Sequence, residues 1–196
     1  MNNSYNRQKS YKAELRKVWE HPESVNVIHY SCETFYERKD GSSPRITSIA
    51  VRNLKSGQAK SFSIHKFAEI KRLPANELDA HYDELEKEML FEYFAFVKSR
   101  TDTNWLHWNM RSEHFGFHAL ELRAKILGIP DSDIFIIQDE RKFDLARILV
   151  GIYGPNYTSL PRMPDLVEMN NLKSKEFQIG EKEASLTVKQ IRASKV

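Results

Sequence analysis

Three strand-patterned runs follow one another between Val25 and Phe67 before the chain offers its first long helical pattern, and that order limits the folds open to it. "VNVIHY" is rich in β-branched and aromatic residues and reads as the first strand. A charged loop, "ERKDGSSPR", separates it from "ITSIAVRNL", and "AKSFSIHKF" follows across "KSGQ", where Gly57 suits a tight turn. Runs joined in this way predict an antiparallel meander. Residues 76–98 then carry Leu78, Tyr82, Leu85, Met89, Tyr93 and Val97 as a broad apolar stripe among acids and lysines, which predicts a long helix. "NWLHWN", 104–109, predicts a fourth strand. A strand–long helix–strand crossover favours parallel adjacency, so the fourth strand is expected beside the first. The fold class that follows is α/β: one mixed sheet, a three-strand antiparallel meander plus parallel strands, flanked by helices.

The remaining segments extend this plan. A helix over 112–127 ends at Gly128 with Pro130 beyond. "DIFIIQD" reads as either a strand or a short turn packed on the sheet, and "RKFDLARILVGIYG" contains a helix terminating near Gly151 or Gly154. Thr158 or Ser159 is expected to cap a short helix through Asn170, and "GEKEASLTVKQIRASKV" to be helical. At the other end, residues 1–10 are polar and expected to be disordered, while Leu15, Val18 and Trp19 predict a helix over 11–20. The expected division is an N-terminal extension with a short helix, 1–23, and an α/β domain, 24–196. Trp19 is expected as a core residue or a docking anchor.

Composition narrows the setting rather than the chemistry. The net charge of +3, from 30 Lys and Arg against 27 Asp and Glu, is too small to announce a nucleic-acid binder. Cys32 stands alone, so no intrachain disulfide forms and a reducing compartment is the simpler expectation. "MNNSYNRQKS" lacks the apolar core of a secretory signal, and no apolar run approaches the roughly 18 residues of a membrane helix. A cytoplasmic protein without a membrane partner is expected.

Three short stretches carry candidate chemistry. In "SCET", Ser31 and Glu33 stand two apart at the end of the first strand, a spacing that projects both to one face. "HWNMRSEHF" places Asn109 and, four residues later, Glu113 where the fourth strand passes into a helix. "QIGEKEA" places Glu183 near the start of the last helix. Together with the order of elements, these stretches resemble the ribonuclease-H-like fold, specifically its DEDD-type 3′-to-5′ exonuclease superfamily. Members hold two divalent metals with four acids from three motifs. The first is Asp-x-Glu-Thr, which Glu33 and Thr34 match while Ser31 occupies the place of the leading Asp. The second is His-Asn-x-x-Phe-Asp, which Asn109 and Glu113 match with Trp108 interposed after His107. In the third, Glu183 takes the acid's place and Gln178 stands where a His or Tyr accepts the proton. Asp144-Leu145 looks like the Asp-Leu pair that follows strand five below the site.

The resemblance implies Mg²⁺ or Mn²⁺ held by Glu33, Glu113 and Glu183, with Asn109 orienting the second motif. Two such ions about 3.5–4 Å apart would clamp the attacking and leaving oxygens of a phosphodiester. A serine in place of the leading acid and a glutamine in place of the general base imply that hydrolysis is weakened or lost. The implied partner is single-stranded DNA or RNA, contacted by Thr34, Tyr36, Arg38, Lys39, Arg45, Asn109 and Arg111, with phosphates on the basic groups and a base stacked on the aromatic ring.

Other readings stand beside this one. A catalytically inactive scaffold or regulatory subunit would bind a protein partner or form a homo-oligomer through Tyr93 or Phe96, Trp19, Trp105 or Trp108. His114 and His118 have ligand-compatible spacing but lack the Glu of "HExxH" and a compact third ligand for zinc. Cys32, sent to the face opposite Ser31 and Glu33, is expected in the core.

Overall fold

The structure is a computed structural model that describes residues 2–33, 43–111 and 116–172. Its sheet is built from β1 (Val25–Cys32), β2 (Ile46–Asn53), β3 (Ala59–Ser63), β4 (Asn104–His107) and β5 (Lys142–Asp144), in the order β3-β2-β1-β4-β5. β1 pairs antiparallel with β2, and β2 with β3. β4 lies parallel to β1 with Ile28 opposite His107, and β5 lies parallel to β4 with Asp144 opposite His107. This is the mixed, ribonuclease-H-like arrangement expected from the run order. It places β1 in the middle and brings the carboxyl ends of β1, β4 and β5 to one edge.

Alternation along β1 divides the core between the two faces. Ile28, Tyr30 and Cys32 point into the larger cluster, with Phe62, Tyr93, Phe94 and Trp105, under α2 (Ile64–Ile70), α3 (Tyr82–Lys98) and α4 (Phe117–Ile126). Val25 points the other way and packs with Val18, Leu106, Phe143, Ile148 and Ile152 under α1 (Asn2–Glu20) and α5 (Leu145–Tyr153). Each fully buried large side chain of this kind contributes about 1.5–3 kcal/mol relative to exposure, so both layers are held chiefly by apolar burial. Tyr93 and Trp105 belong to that core, and Phe96 packs edge-on against Phe62 at 5.4 Å. Tyr93 and Trp105 are thus taken up by the core, while Phe96 is half-buried at its edge. Trp19, expected as a core residue or a docking anchor, lies outside the core, 59% exposed at the end of α1.

One charged pair is built into the larger layer. Glu86 on α3 is 0% exposed and accepts from Arg123 on α4 through both oxygens, at 2.9 and 2.7 Å. The same carboxylate accepts the Ile46 N–H at 2.7 Å, and the Tyr82 hydroxyl donates to the Ile46 carbonyl. The start of β2 is thus tied to α3 by two buried polar bonds, and through Glu86 to Arg123 on α4. Burial pushes the Glu86 carboxyl up, and the Arg123 guanidinium pulls it back.

Several boundaries differ from the sequence expectation for local reasons. α1 begins at Asn2, so residues expected to be a loose polar tail are helical. Further along it, Tyr11 and Leu15 pack on the second layer, Gln8 Nε2 donates to the Ile152 carbonyl at 2.7 Å, and Glu14 pairs with Arg147. The apolar run "SIHKF" leaves the sheet at Ser63, whose hydroxyl caps α2 by accepting the Lys66 N–H. α3 starts at Tyr82 rather than 76, after a 3₁₀ turn at Ala75–Glu77. "DIFIIQD" makes no ladder, and the fifth strand is the three-residue stretch "KFD" just beyond it. The last described helix, α6 (Arg162–Met169), starts after Pro161, because Thr158 and Ser159 bind the Asp165 carboxylate instead of capping. The helix expected at the C-terminus lies outside the described residues. Among the described residues no helix is long and apolar enough to cross a membrane.

Candidate functional site

β1 runs four residues past its last pairing with β4, so Ser31 and Cys32 project beyond His107 at the carboxyl edge. A register shift between Ser31 and Cys32 breaks the alternation there. Cys32 is buried in the core as expected, and Ser31 is 1% exposed with a hydroxyl that has no hydrogen-bond partner among the described residues. Glu33 follows the strand end and is exposed. Its N–H donates to the Arg45 carbonyl at 3.0 Å, and its Oε2 accepts the Arg45 N–H at 3.4 Å. Arg45 in turn lies over the Tyr82 ring at 4.7 Å and 3.6 Å from Asp83. The bulge therefore separates the environments of 31 and 33: one is enclosed, the other faces solvent and is bonded to the Arg45 main chain.

A second group forms around Asp144, the last residue of β5. Asp144 Oδ1 accepts the N–H groups of Ala146 and Arg147, which caps α5, and also the Asn109 N–H at 3.1 Å. Its Oδ2 lies 2.5 Å from Arg111 Nε. Asn109 adopts φ 56, the left-handed turn that lets the chain reverse after β4. The return is closed at Gly116, whose φ is 101 and where a Cβ would lie 2.3 Å from the Met110 carbonyl carbon. The Gly116 N–H donates to the Tyr30 hydroxyl at 2.8 Å, tying this turn to β1 one residue before Ser31. Burial pushes the Tyr30 phenol up, so it stays protonated.

His107, at the end of β4, faces the same turn. Its Nδ1 accepts the Met110 N–H at 3.1 Å, which fixes the neutral tautomer with the proton on Nε2. Burial drives its pKa down to about 4, although Asp144 opposes the shift.

Of the residues predicted from the sequence, the structure brings Glu33 and Arg45 together at the end of β1, and Asn109 and Arg111 together around Asp144. Thr34, Tyr36, Arg38, Lys39, Glu113 and Glu183 lie outside the described residues. At the end of β1 the described donors are one carboxylate, Glu33, and one neutral hydroxyl, Ser31, which do not make a two-ion clamp. No group of three or more His, Cys, Asp or Glu among the described residues could hold a metal ion. His118 is described, exposed and 3.8 Å from Glu121, while His114 lies outside. No protein-family model and no curated protein matches this chain.

Sequence reasoning missed Lys142, Arg147 and Glu121, which line a cavity of about 420 Å³ beside Asp144. The available signal was the alternation in "KFD", which sends Lys142 and Asp144 to one side of a strand. A run of three residues is too short for that alternation to announce a strand.

Proposed function

We propose that this chain is a nucleic-acid-associated domain of DEDD-exonuclease type in which metal-dependent phosphodiester hydrolysis is weakened or lost. The observation that carries the reading is Ser31: a neutral, buried side chain at the central strand end, where the resemblance places the leading acid. Glu33 follows it in the chain, exposed and bonded to the main chain of Arg45, whose guanidinium over the Tyr82 ring supplies a cation at this edge. That suits contact with a phosphate strand better than a two-metal cut.

The test is fluorescence anisotropy with labelled single-stranded DNA and RNA, run alongside a cleavage assay in Mn²⁺. Binding that weakens in Arg45→Gln, with little cleavage and none in Glu33→Ala, is the expected result. Failure to bind either strand would refute the nucleic-acid association, and vigorous cleavage indifferent to Glu33→Ala would refute the assignment of the site.

The second reading, an inactive scaffold for a protein partner, is favoured by Leu122 and Ile126. They stand four apart on α4 and are 42% and 55% exposed. Association of the purified chain with a partner that Leu122→Asp/Ile126→Asp abolishes, without any strand binding, is the outcome that selects it.

A further inference from the structure

We propose that the cavity at the carboxyl ends of β4 and β5 is a binding site for a small phosphate monoester. It is distinct from the Glu33–Arg45 edge and does not depend on the strand-binding reading. The cavity measures about 420 Å³, within the usual range for small-molecule sites, and adjacent parallel strands commonly present ligands at their carboxyl ends.

Three kinds of donor line it. His107 is 4% exposed, and with Nδ1 engaged by the Met110 N–H it offers a fixed Nε2–H. Among the described residues no hydrogen bond from that nitrogen is present. Arg111 is held by Nε to Asp144, which leaves both terminal nitrogens of a half-exposed guanidinium without a partner among the described residues. Lys142 lies 2.9 Å from Asp139, an acid 91% exposed, so a phosphate displaces that partner at small cost.

The acids in the cavity do not defeat this charge. Asp144 already accepts three backbone N–H groups at Oδ1 and is ion-paired with Arg111 through Oδ2, so its negative charge is compensated within the fold. Burial pushes the Glu121 carboxyl up while Lys142, His118 and Lys125 draw it back, so its charge is set against cations of the same rim. A monoester presents three terminal oxygens to an imidazole N–H, a guanidinium fork and an ammonium, whereas a diester presents two.

The experiment follows the His107 Nε2–H resonance and the binding isotherm while dTMP, glucose 6-phosphate, inorganic phosphate or dimethyl phosphate is added to the full chain. The resonance is expected to move with the first three, and dimethyl phosphate to bind at least about tenfold more weakly. Lys142→Gln, at a half-buried edge position, should lower monoester affinity about tenfold or more, as should Arg111→Gln, with Lys55→Gln as the unchanged control. Tighter binding of dTMP or of the sugar phosphate identifies the carrier, and equal binding of all three assigns recognition to the phosphate alone. An unmoved His107 resonance at millimolar ligand, equal affinity for dimethyl phosphate, or affinity unchanged in both variants overturns the proposal. Strand binding measured on the same Lys142→Gln protein should be unaltered, which keeps a failure here separate from a failure at the β1 edge.

Discussion

Replacing Arg123 with methionine removes the counter-charge of Glu86 while keeping an unbranched side chain in the layer between α3 and α4. The wild-type carboxylate, with no exposed surface, has three close donors: two guanidinium nitrogens at 2.9 and 2.7 Å and the Ile46 N–H at 2.7 Å. Arg123→Met leaves it with the backbone donor alone. Stranding one partner of a buried ion pair costs about 3–5 kcal/mol. For a chain of this size that corresponds to a fall in Tm of roughly 6–20 °C. The deficit has a definite pH dependence. Burial already raises the Glu86 carboxyl, and removing Arg123 raises it further, so the carboxyl takes up a proton as the pH falls through that raised folded value. The loss is therefore largest at neutral pH and shrinks towards acid pH. Urea unfolding at several pH values measures it, and the double variant Glu86→Leu/Arg123→Met should recover most of the stability at neutral pH. A loss below about 1 kcal/mol, or a double variant no better than the single one, would show that water reaches this pair and that the desolvation argument is wrong.

Three further outcomes are expected. The depressed pKa of His107, about 4 against an ordinary 6.5, means that its stabilising effect is complete above about pH 6.5 and is lost as the pH falls towards 4. The contribution is about 3 kcal/mol, and an imidazole found by NMR to titrate near its ordinary value would contradict it. Gly116→Ala combines positive φ with a Cβ 2.3 Å from backbone, so it should destabilise by more than about 3 kcal/mol in chemical denaturation. Ser31→Ala removes a buried hydroxyl without a partner among the described residues and should leave stability unchanged or raise it by up to about 1 kcal/mol; a clear loss would reveal a bond to that hydroxyl.

The sheet was legible because its signals are local and redundant. Strand runs such as "VNVIHY" and "ITSIAVRN" alternate or cluster apolar residues, and the long stripe of α3 enforces the crossover that sets β4 beside β1. The fifth strand was hidden because three residues carry no periodicity, and α2 because "SIHKF" suits strand and helix equally until Ser63 caps it. The start of α1 was illegible for a different reason: its polar residues become helical through contacts with α5, more than a hundred positions away. At the candidate site, residue spacing identified Ser31 and Glu33 but not the register shift that gives them different surroundings. Asp144 was visible as part of an Asp-Leu pair, yet the cluster it organises depends on the turn at Asn109 and Gly116, which no pattern in the sequence encodes.

The hydrogen bond from Gln8 to Ile152 spans 144 positions, and all five strands lie between α1 and α5 in the sequence. α5, on which α1 packs, follows β5, the last of the described strands. Pairings this remote in sequence are slow to form because loop closure precedes any gain in contact. The seating of α1 therefore couples the first and fifth helices across the sequence of the whole sheet, and a probe on α1 reports whether α5 is in place.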